Sequence, residues 1–348
     1  MSMFVCEISE FLSARGFGCV TESRGGMPVV WAEVPAEVLV RRCIVPWPVV
    51  AGSPEEAQEQ AQRMAKQLRE LSAEGHRPII VTEDRWRRQQ EMMKARLLAH
   101  LEVFTPMFAR NCEVRKIDKK TAAAFLNENH SYGDAACRYR YGLYLKRYTG
   151  KRGEISPLAS LGRNDSEEFG RNDSEELGRN DSESAVEGGD VKDCITPGTL
   201  VAVATFSNAR KWQKGEKTIR SYEWTRYASL PGVRINGGMG KVLKAFIKEV
   251  QPDDIMSYAD LEWSEGAVYE QLGFSLEGRK DPVAFEVDGR WRRSPVGPGM
   301  TRKAGSEMTG EVKLGMTEVI SDSHDRTATR CLQNLGSNKY RLKLTEYE

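Results

Sequence analysis

The sequence lacks the features that mark membrane-spanning and secreted proteins. No apolar run approaches the roughly 20 residues that a helix needs to cross a bilayer. The first residues, Met1 to Phe4, contain no basic region followed by an apolar block, so no signal peptide is expected. The seven cysteines include no Cys-x-x-Cys pair, and their odd number predicts reduced thiols packed in cores. We therefore expect a cytoplasmic protein that has no membrane partner.

The net charge of +1 conceals an uneven distribution of charge along the chain. Residues 104–150 hold nine basic and four acidic residues, and residues 198–250 hold ten and three. The segment between them, 151–197, holds six basic and twelve acidic residues. Basic charge favours a polyanionic partner, either coenzyme A or a nucleic-acid backbone, although an ordinary solvated surface can have the same composition.

One stretch, residues 221–274, carries the most informative pattern. It begins with three aromatic residues among polar ones, Tyr222, Trp224 and Tyr227, which predicts a strand. A helix is predicted next, because apolar residues recur with a helical period at Met239, Val242, Leu243, Phe246 and Ile247. Pro252 ends that helix, residues 255–259 form a predicted buried strand, and a second short helix ends at Phe274.

A glycine-rich turn joins the first strand to the first helix. Its sequence is Arg234-Ile235-Asn236-Gly237-Gly238-Met239-Gly240-Lys241. Such a turn suits an anion, because the first amides of a helix have no internal partner and the helix dipole favours negative charge. Lys241 would add a positive charge beside the anion. The alternative is a tight turn that binds nothing.

The order strand, glycine turn, helix, strand and a helix carrying Tyr269-Glu270-Gln271-Leu272-Gly273-Phe274 resembles the GNAT acyltransferase superfamily. More narrowly, it resembles the Mom-type branch, phage DNA-modification proteins that alter adenine, and equally the C-terminal halves of phage homing-endonuclease-like proteins. The segments that carry the resemblance are His130-Ser131-Tyr132-Gly133, Tyr141-Gly142-Leu143-Tyr144, Leu200 to Ser207, Ser257-Tyr258-Ala259-Asp260 and Gly266-Ala267-Val268-Tyr269. It covers about residues 112–288, apart from an insertion.

The resemblance implies an α/β (α+β) fold in which a central mixed sheet is flanked by helices. It also implies acetyl-CoA or a related acyl donor as cosubstrate, with DNA as a partner and a homodimer as a possible assembly. The glycine turn would hold the pyrophosphate of the donor, through Arg234, Asn236, Gly237, Gly238, Met239, Gly240 and Lys241. A tyrosine of the last helix often serves as general acid in this superfamily, and Tyr269 occupies that position here.

Residues 1–103 are predicted to form a separate small α/β domain. Its elements are a helix near residues 2–16, strands within 29–50, a helix over 54–73, a strand at 77–81 and a basic helix ending near Leu101. This pattern, with Glu83-Asp84-Arg85-Trp86, resembles the nuclease-like domain of the phage endonuclease group. Cleavage in that group needs carboxylates on two strands to hold Mg²⁺. Glu33 matches one of them and its partner is missing, so we expect a degenerate domain that does not cleave DNA.

Residues 104–348 are predicted to form the GNAT-like domain. Its further elements are strands at 113–117, 138–144, 200–207, 283–287 and 339–344, and a helix over 122–129 that Thr121 caps. Three copies of an acidic eight-residue unit begin at Leu161, Phe169 and Leu177, so the insertion at 151–197 is expected to be disordered. The Gly- and Pro-rich segment 294–323 is expected to be mobile.

Four residues are candidate catalytic groups: His130, Arg226, Asp260 and Tyr269. The imidazole, carboxylate and phenol can act as general acid and base, or His130, Asp260 and Tyr269 can bind a redox metal ion. Arg226 would bind substrate or phosphate. The structural alternative is that Asp260 caps the helix that follows it and that Tyr269 packs on the sheet.

Three functions are consistent with these observations. The first is a GNAT-like acyltransferase that modifies a nucleobase, adenine in DNA being the expected target. The second is a generic N-acetyltransferase that acts on a protein or a small amine. The third is a non-catalytic DNA-binding remnant of a mobile-element endonuclease. The glycine turn favours the first two functions.

Overall fold

The structure is a computed structural model that describes residues 2–33, 41–146, 195–296 and 330–347. The predicted acidic repeat, and the predicted mobile segment beyond residue 296, lie outside these ranges. The described residues form a mixed α/β structure, which confirms the predicted fold class. No helix in the described ranges is long and apolar enough to cross a membrane.

The N-terminal unit is a four-stranded sheet covered by helices on both faces. Its elements are α1 (Met3–Ser13), β1 (Gly18–Arg24), β2 (Met27–Glu33), β3 (Arg41–Trp47), α2 (Pro54–Ala73), β4 (Ile79–Thr82), α3 (Glu83–Arg88) and α4 (Gln90–His100). The strands lie in the order β1-β2-β3-β4, antiparallel except for the parallel pair β3 and β4. Phe4, Trp86 and Leu97 pack on one face, and Trp47 and Met64 pack on the other.

Local sequence explains where several helices begin. Ser53 accepts a hydrogen bond from the amide of Glu56 at 3.2 Å, and Pro54 occupies the first turn of α2, both of which favour a helix that begins here. Helix α5 (Lys119–Asn129) differs from the prediction, because its cap is Asp118. The Asp118 carboxylate accepts from the Thr121 amide at 2.8 Å. The predicted basic helix is divided at Gln89 into α3 and α4.

The central sheet is built from the rest of the chain. Its strands are β6 (Cys112–Lys116), β7 (Tyr139–Leu145), β8 (Leu200–Phe206), β9 (Arg210–Lys214), β10 (Lys217–Ser229), β12 (Asp254–Asp260), β13 (Ser275–Lys280) and β17 (Ser337–Lys343). The same part of the chain contains the short strands β5 (Thr105–Phe108) and β11 (Val233–Asn236) and the helices α6 (Gly238–Val250) and α7 (Ala267–Gln271). The strand order is β13-β17-β12-β10-β8-β7-β6, with β9 paired to β10, and β5 and β11 form a separate parallel pair.

The strands β10 and β12 are parallel, and they are paired over a short length only. Ser221, Tyr222 and Glu223 pair with residues 254–256, and there the pairing ends. From Trp224 onward β10 stays paired with β8, whereas β12 stays paired with β17. The sheet therefore divides at this point, and the carboxyl ends of the two parallel strands diverge. Ligands of open α/β sheets bind outside the carboxyl ends of strands.

Helix α6 packs on the central sheet with the face that the sequence predicted. Val242, Leu243 and Phe246 are buried, while Met239 and Ile247 are partly buried. The ring of Phe246 stacks on Phe206 of β8 with 3.9 Å between the centroids. This contact fixes the helix, and therefore the glycine turn at its start, next to the division of the sheet.

A small three-stranded sheet from the C-terminal part of the chain packs against the N-terminal unit. Its strands are β14 (Ala284–Val287), β15 (Arg293–Pro295) and β16 (Arg330–Gln333), in the order β15-β14-β16. Val287 and Leu332 lie in the same core as Trp47 and Met64. The packing of the N-terminal unit therefore includes residues far beyond position 103.

Candidate functional site

A cavity of about 500 Å³ lies where β10 and β12 separate. Its lining includes the second half of β10 and the residues that follow it, the end of β12, Tyr269 of α7, residues 129–132 at the end of α5, Met239 of α6, and helix α4. This volume is typical of small-molecule sites. Because α4 belongs to the N-terminal unit, the cavity lies between that unit and the central sheet.

His130, Tyr132 and Asp260 form one connected polar group in the cavity wall. The amide of Tyr132 donates to Nδ1 of His130 at 3.1 Å, and the Tyr132 hydroxyl donates to Oδ2 of Asp260 at 2.8 Å. Arg85 donates to the same carboxylate oxygen at 3.1 Å. Because Nδ1 of His130 accepts a hydrogen bond, the neutral ring carries its proton on Nε2.

Neither His130 nor Asp260 is a strong base. Burial, with the cations Arg226 and Arg85 nearby, lowers the pKa of His130 to about 3, so the ring is neutral at pH 7. Burial acts to raise the pKa of Asp260, but the Arg85 cation and the hydrogen bonds outweigh it, and the pKa lies below its usual value. Asp260 is therefore a carboxylate at neutral pH.

A buried ion network holds Asp260 in place. Arg85 lies 3.1 Å from both Asp260 and Glu262. Arg293 of β15 lies 3.0 Å from Glu262 and 2.6 Å from Asp84. The side chains of Glu262 and Asp84 are only 1% and 3% exposed. The network joins the start of α3, the end of β12 and the small sheet, so it fixes one wall of the cavity.

Tyr269 belongs to a second polar group in the same cavity. The Ser257 hydroxyl lies 2.8 Å from the Tyr269 hydroxyl and 3.0 Å from the Trp224 carbonyl, and its single proton can be donated to either oxygen. Burial raises the pKa of Tyr269, so the phenol stays protonated. In the described chain no hydrogen bond joins Tyr269 to His130 or Asp260. The three predicted residues therefore line one cavity as two separate groups.

Arg226 lies between the cavity and the segment that carries His130. Its Nε donates to the Gly133 carbonyl at 3.0 Å and its Nη1 donates to the Thr225 carbonyl at 2.8 Å. Burial lowers the pKa of Arg226. These contacts show that Arg226 positions the 130–133 segment against β10.

The glycine turn leaves the start of α6 open. Gly237 has a φ of +74°, which glycine adopts without strain. The first intrahelical bond runs from the Lys241 amide to the Gly237 carbonyl at 3.0 Å, so the three amides between them have no partner within the helix. A Cβ on Gly238 would lie 2.7 Å from the Tyr227 hydroxyl. Packing against Tyr227 therefore requires glycine at position 238, with or without a ligand.

Lys241, which was expected beside an anion, is hydrogen bonded to backbone carbonyls. The ammonium group of Lys241 donates to the carbonyls of Ala109 and Cys112 at 2.7 and 2.5 Å, so it anchors α6 to the start of β6. Arg234 and Asn236 are exposed on β11, and the Arg234 guanidinium lies 5.2 Å from the Phe104 ring centroid. Met239 is the residue of the turn that reaches the cavity.

Two cavity residues were not expected from the sequence. Tyr227 lines the cavity, burial raises its pKa, and within the described residues its hydroxyl has no hydrogen-bond partner. Arg96 of α4 donates to the carbonyls of Ile80, Glu262 and Trp263 at 2.6, 3.0 and 3.1 Å. Burial, together with Arg85, lowers the pKa of Arg96 to about 9.

Within the described ranges, no group of three or more His, Cys, Asp or Glu residues could hold a metal ion. A redox metal site at His130, Asp260 and Tyr269 stays a prediction. Glu33, the expected remnant of a nuclease site, forms an ion pair with Arg41 at 2.8 Å, and its side chain is 48% exposed.

Sequence reasoning also missed Arg85, Tyr132, Glu262 and Arg293. One signal was present: Glu262 follows Asp260 by two residues at the end of a predicted buried strand, and two buried carboxylates require cations nearby. The identity of those cations was not readable, because Arg85 and Arg293 are distant in the chain. Comparison of the chain with protein-family models and with curated proteins gave no match.

Proposed function

We propose that this protein is an acyltransferase that moves an acyl group from a CoA-type thioester to the exocyclic amine of a nucleobase, adenine in DNA being the expected target. The observation that carries the proposal is the division of the sheet between β10 and β12, with the cavity inside it and the open start of α6 beside it. The cavity offers room for the reacting groups, and the helix start offers amides for phosphates.

The donor side of the proposal rests on the glycine turn. The amides at positions 238–240, which have no partner within the helix, and the positive end of the α6 dipole favour the pyrophosphate of a CoA-type donor. Met239 belongs both to the turn and to the cavity wall, so a donor held at the turn has its acyl end directed into the division of the sheet.

The acceptor side rests on the weak basicity of the cavity. An aliphatic ammonium, with a pKa near 10.4, must lose a proton before it can attack, which requires a base of suitable pKa. His130 has a pKa of about 3 and Asp260 has a lowered pKa, so neither meets that need. The amine of a nucleobase is already uncharged at neutral pH. This comparison favours a nucleobase over a lysine or a small aliphatic amine.

The proposed reaction transfers the acyl group in one step from the thioester to the amine. The amine nitrogen attacks the thioester carbonyl carbon, a C–N bond forms, and the C–S bond breaks to release the thiolate of CoA. The nitrogen becomes strongly acidic after attack, and its proton passes to the Asp260 carboxylate or to water. The Tyr269 phenol protonates the thiolate and regains its proton through the Ser257 hydroxyl, 2.8 Å away.

The test is mass spectrometry of nucleosides. DNA from cells that make the protein, and DNA incubated with purified protein and acetyl-CoA, would be digested and compared with samples from a Tyr269→Phe variant. We expect an added mass on deoxyadenosine that the variant reduces. Unmodified nucleosides in both samples, together with acetylation of a lysine peptide or a polyamine, would establish the second function instead. If neither product forms, the third function, DNA binding without catalysis, is the one that remains.

A further inference from the structure

The β9–β10 hairpin is a basic surface that the catalytic proposal does not use. All five residues of β9 are exposed, and among the described strands β9 pairs with β10 alone. Between residues 210 and 220 the hairpin carries Arg210, Lys211, Lys214, Lys217 and Arg220, with Glu216 as the sole acidic residue. Trp212, with 36% of its surface exposed, shares one face of the hairpin with Arg210, Lys214 and Lys217, and the other face carries Lys211 and Arg220.

The pairing of the hairpin places like charges opposite one another. Lys214 is directly opposite Lys217, and Lys211 is directly opposite Arg220. Like charges in directly opposite positions destabilise a hairpin. Lysine on an edge strand protects the edge from pairing with other chains, but that role does not need cations on both strands. A bound polyanion would remove the repulsion.

The ion pairs of the described chain leave the centre of this surface without a counter-ion. Arg210 lies 3.6 Å from Glu223, and Arg220 lies 3.5 Å from Asp253. No ion pair in the described chain involves Lys211, Lys214 or Lys217. Trp212 contacts the ring of Tyr347 edge-on, with 5.5 Å between the centroids, and Lys343 lies 4.8 Å from the Tyr347 ring. The aromatic pair is therefore held in place beside free cations.

The hairpin leads to the cavity. Strand β10 continues from Lys217 to Glu223, which lines the cavity, and six residues of strand span about 20 Å. Arg210, the first residue of β9, lies opposite Ser221 and contacts the same Glu223. A strand whose phosphates lie on the hairpin would thus run along β10 toward the cavity mouth.

We propose that the β9–β10 hairpin binds the phosphate backbone of a nucleic acid strand, with Trp212 stacking on an unpaired base, and that it delivers a nucleotide to the cavity. The inference rests on the proposed function for the identity of the substrate, but the binding surface is argued from the hairpin itself. Cations that contact phosphates combined with an aromatic platform are the usual means of binding a single strand.

The experiment measures binding by fluorescence anisotropy, with a labelled 20-nucleotide DNA strand, its duplex and the RNA of the same sequence, at several salt concentrations. The test variant replaces Lys214 and Lys217, which lie on the same face of the hairpin as Trp212, with alanine. The matched control replaces Lys66 and Arg69 on the exposed face of α2, which removes the same charge elsewhere. Loss of two phosphate contacts should lower the slope of log K against log salt by about 1.4 for a single strand, and the control should keep the slope.

Trp212 provides a second, independent readout. Trp212→Ala should weaken binding of the single strand by about tenfold or more, and Trp212→Phe should retain most of it, because stacking needs only an aromatic face. Equal affinities of the hairpin variant and the α2 control would overturn the proposal, as would wild-type protein that binds none of the three nucleic acids. Tighter binding of RNA than of DNA would replace DNA by RNA as the proposed substrate and would still support the hairpin as the binding surface.

Calorimetry with acetyl-CoA separates this inference from the proposed function. The hairpin variant should bind acetyl-CoA as wild type does, because no hairpin residue belongs to the glycine turn. Loss of nucleic acid binding with retained CoA binding supports both proposals. If the hairpin binds nucleic acid and the protein does not bind CoA, the proposed acyltransferase function is rejected and the proposed nucleic-acid-binding surface is retained.

Discussion

At the scale of single residues, the most unusual group is the imidazole of His130. Its neighbours hold it neutral and fix its proton on Nε2. A histidine held in this way gives a pH dependence of stability that can be measured without knowledge of the reaction.

We expect acid to destabilise the protein through His130. The folded pKa of about 3 lies below the usual 6.5, so between these values the unfolded chain binds a proton that the folded chain does not. The stabilisation is complete above pH 6.5 and is lost as the pH falls toward 3, by up to about 2 kcal/mol between pH 7 and pH 5.

Urea unfolding at pH 7 and pH 5 measures this effect. His130→Asn can keep an acceptor for the Tyr132 amide and cannot titrate, so its stability should change less with pH than that of wild type. His76→Asn, on the N-terminal unit, is the control and should behave as wild type. An equal pH dependence of wild type and His130→Asn would contradict the buried, neutral ring.

The two phenols of the cavity allow a matched comparison. Tyr269→Phe should lower the rate of acyl transfer by roughly 10² to 10⁴, the usual contribution of a general acid, with a stability change of about 1 kcal/mol for the lost hydrogen bond. Tyr227→Phe removes a hydroxyl that has no partner in the described chain and should lower the rate much less. The opposite ranking, in steady-state rates with unchanged unfolding curves, would transfer the role to Tyr227.

At the scale of elements, the glycine turn can be tested for charge separately from shape. Gly237 has a left-handed backbone, which asparagine and aspartate tolerate better than other side chains, and the nearest atom to an added Cβ is 3.7 Å away. Gly237→Asn and Gly237→Asp differ in one charge. We expect calorimetry to show that the Asp variant binds acetyl-CoA at least about tenfold more weakly than the Asn variant, since repulsion by a pyrophosphate of roughly 1.4 kcal/mol gives that factor.

The same experiment at Gly238 would be uninformative. Any side chain there meets the Tyr227 hydroxyl and Ile235, so lost binding would report only a displaced helix. Equal affinities of the two Gly237 variants would indicate that no phosphate lies near the turn.

Elements with a strong local signal were predictable from the sequence. The cap and first turn of α2, the apolar face of α6 and the buried strand β12 follow from short-range patterns, and the structure contains them. The exposed strands β9 and β13 were not predicted, because their polar residues show no alternation that separates a strand from a loop. Thr121 was wrong as a cap because Asp118, three residues earlier, offers a carboxylate to the same turn.

The site was less predictable than the elements, for a physical reason. Sequence patterns report which face of an element is buried, and they do not report which distant side chain lies against it. His130, Asp260 and Tyr269 each line the cavity, but their hydrogen-bond partners, Tyr132, Arg85 and Ser257, follow from the tertiary arrangement.

At the scale of the whole molecule, Arg293 connects the small sheet to the N-terminal unit and to β12. Arg293→Ala would leave Asp84 and Glu262 buried with fewer cations, so we expect a loss of about 3 to 5 kcal/mol in the free energy of unfolding. Arg292→Ala, its neighbour, breaks an exposed pair with Asp288 and should cost less than about 1 kcal/mol. Similar losses in the two variants, measured by urea unfolding, would contradict a buried network.

The strand order has a consequence for how the chain folds. Strand β17 lies between β12 and β13, although it follows both of them in the chain. Until β17 arrives, one edge of β12 and one edge of β13 are open, and open strand edges pair readily with other chains. Contacts between segments so far apart in sequence form slowly. A refolding chain is therefore most prone to aggregate before β17 pairs with β12 and β13. A peptide with the sequence of β17 should compete for the position between these two strands and slow the recovery of native protein.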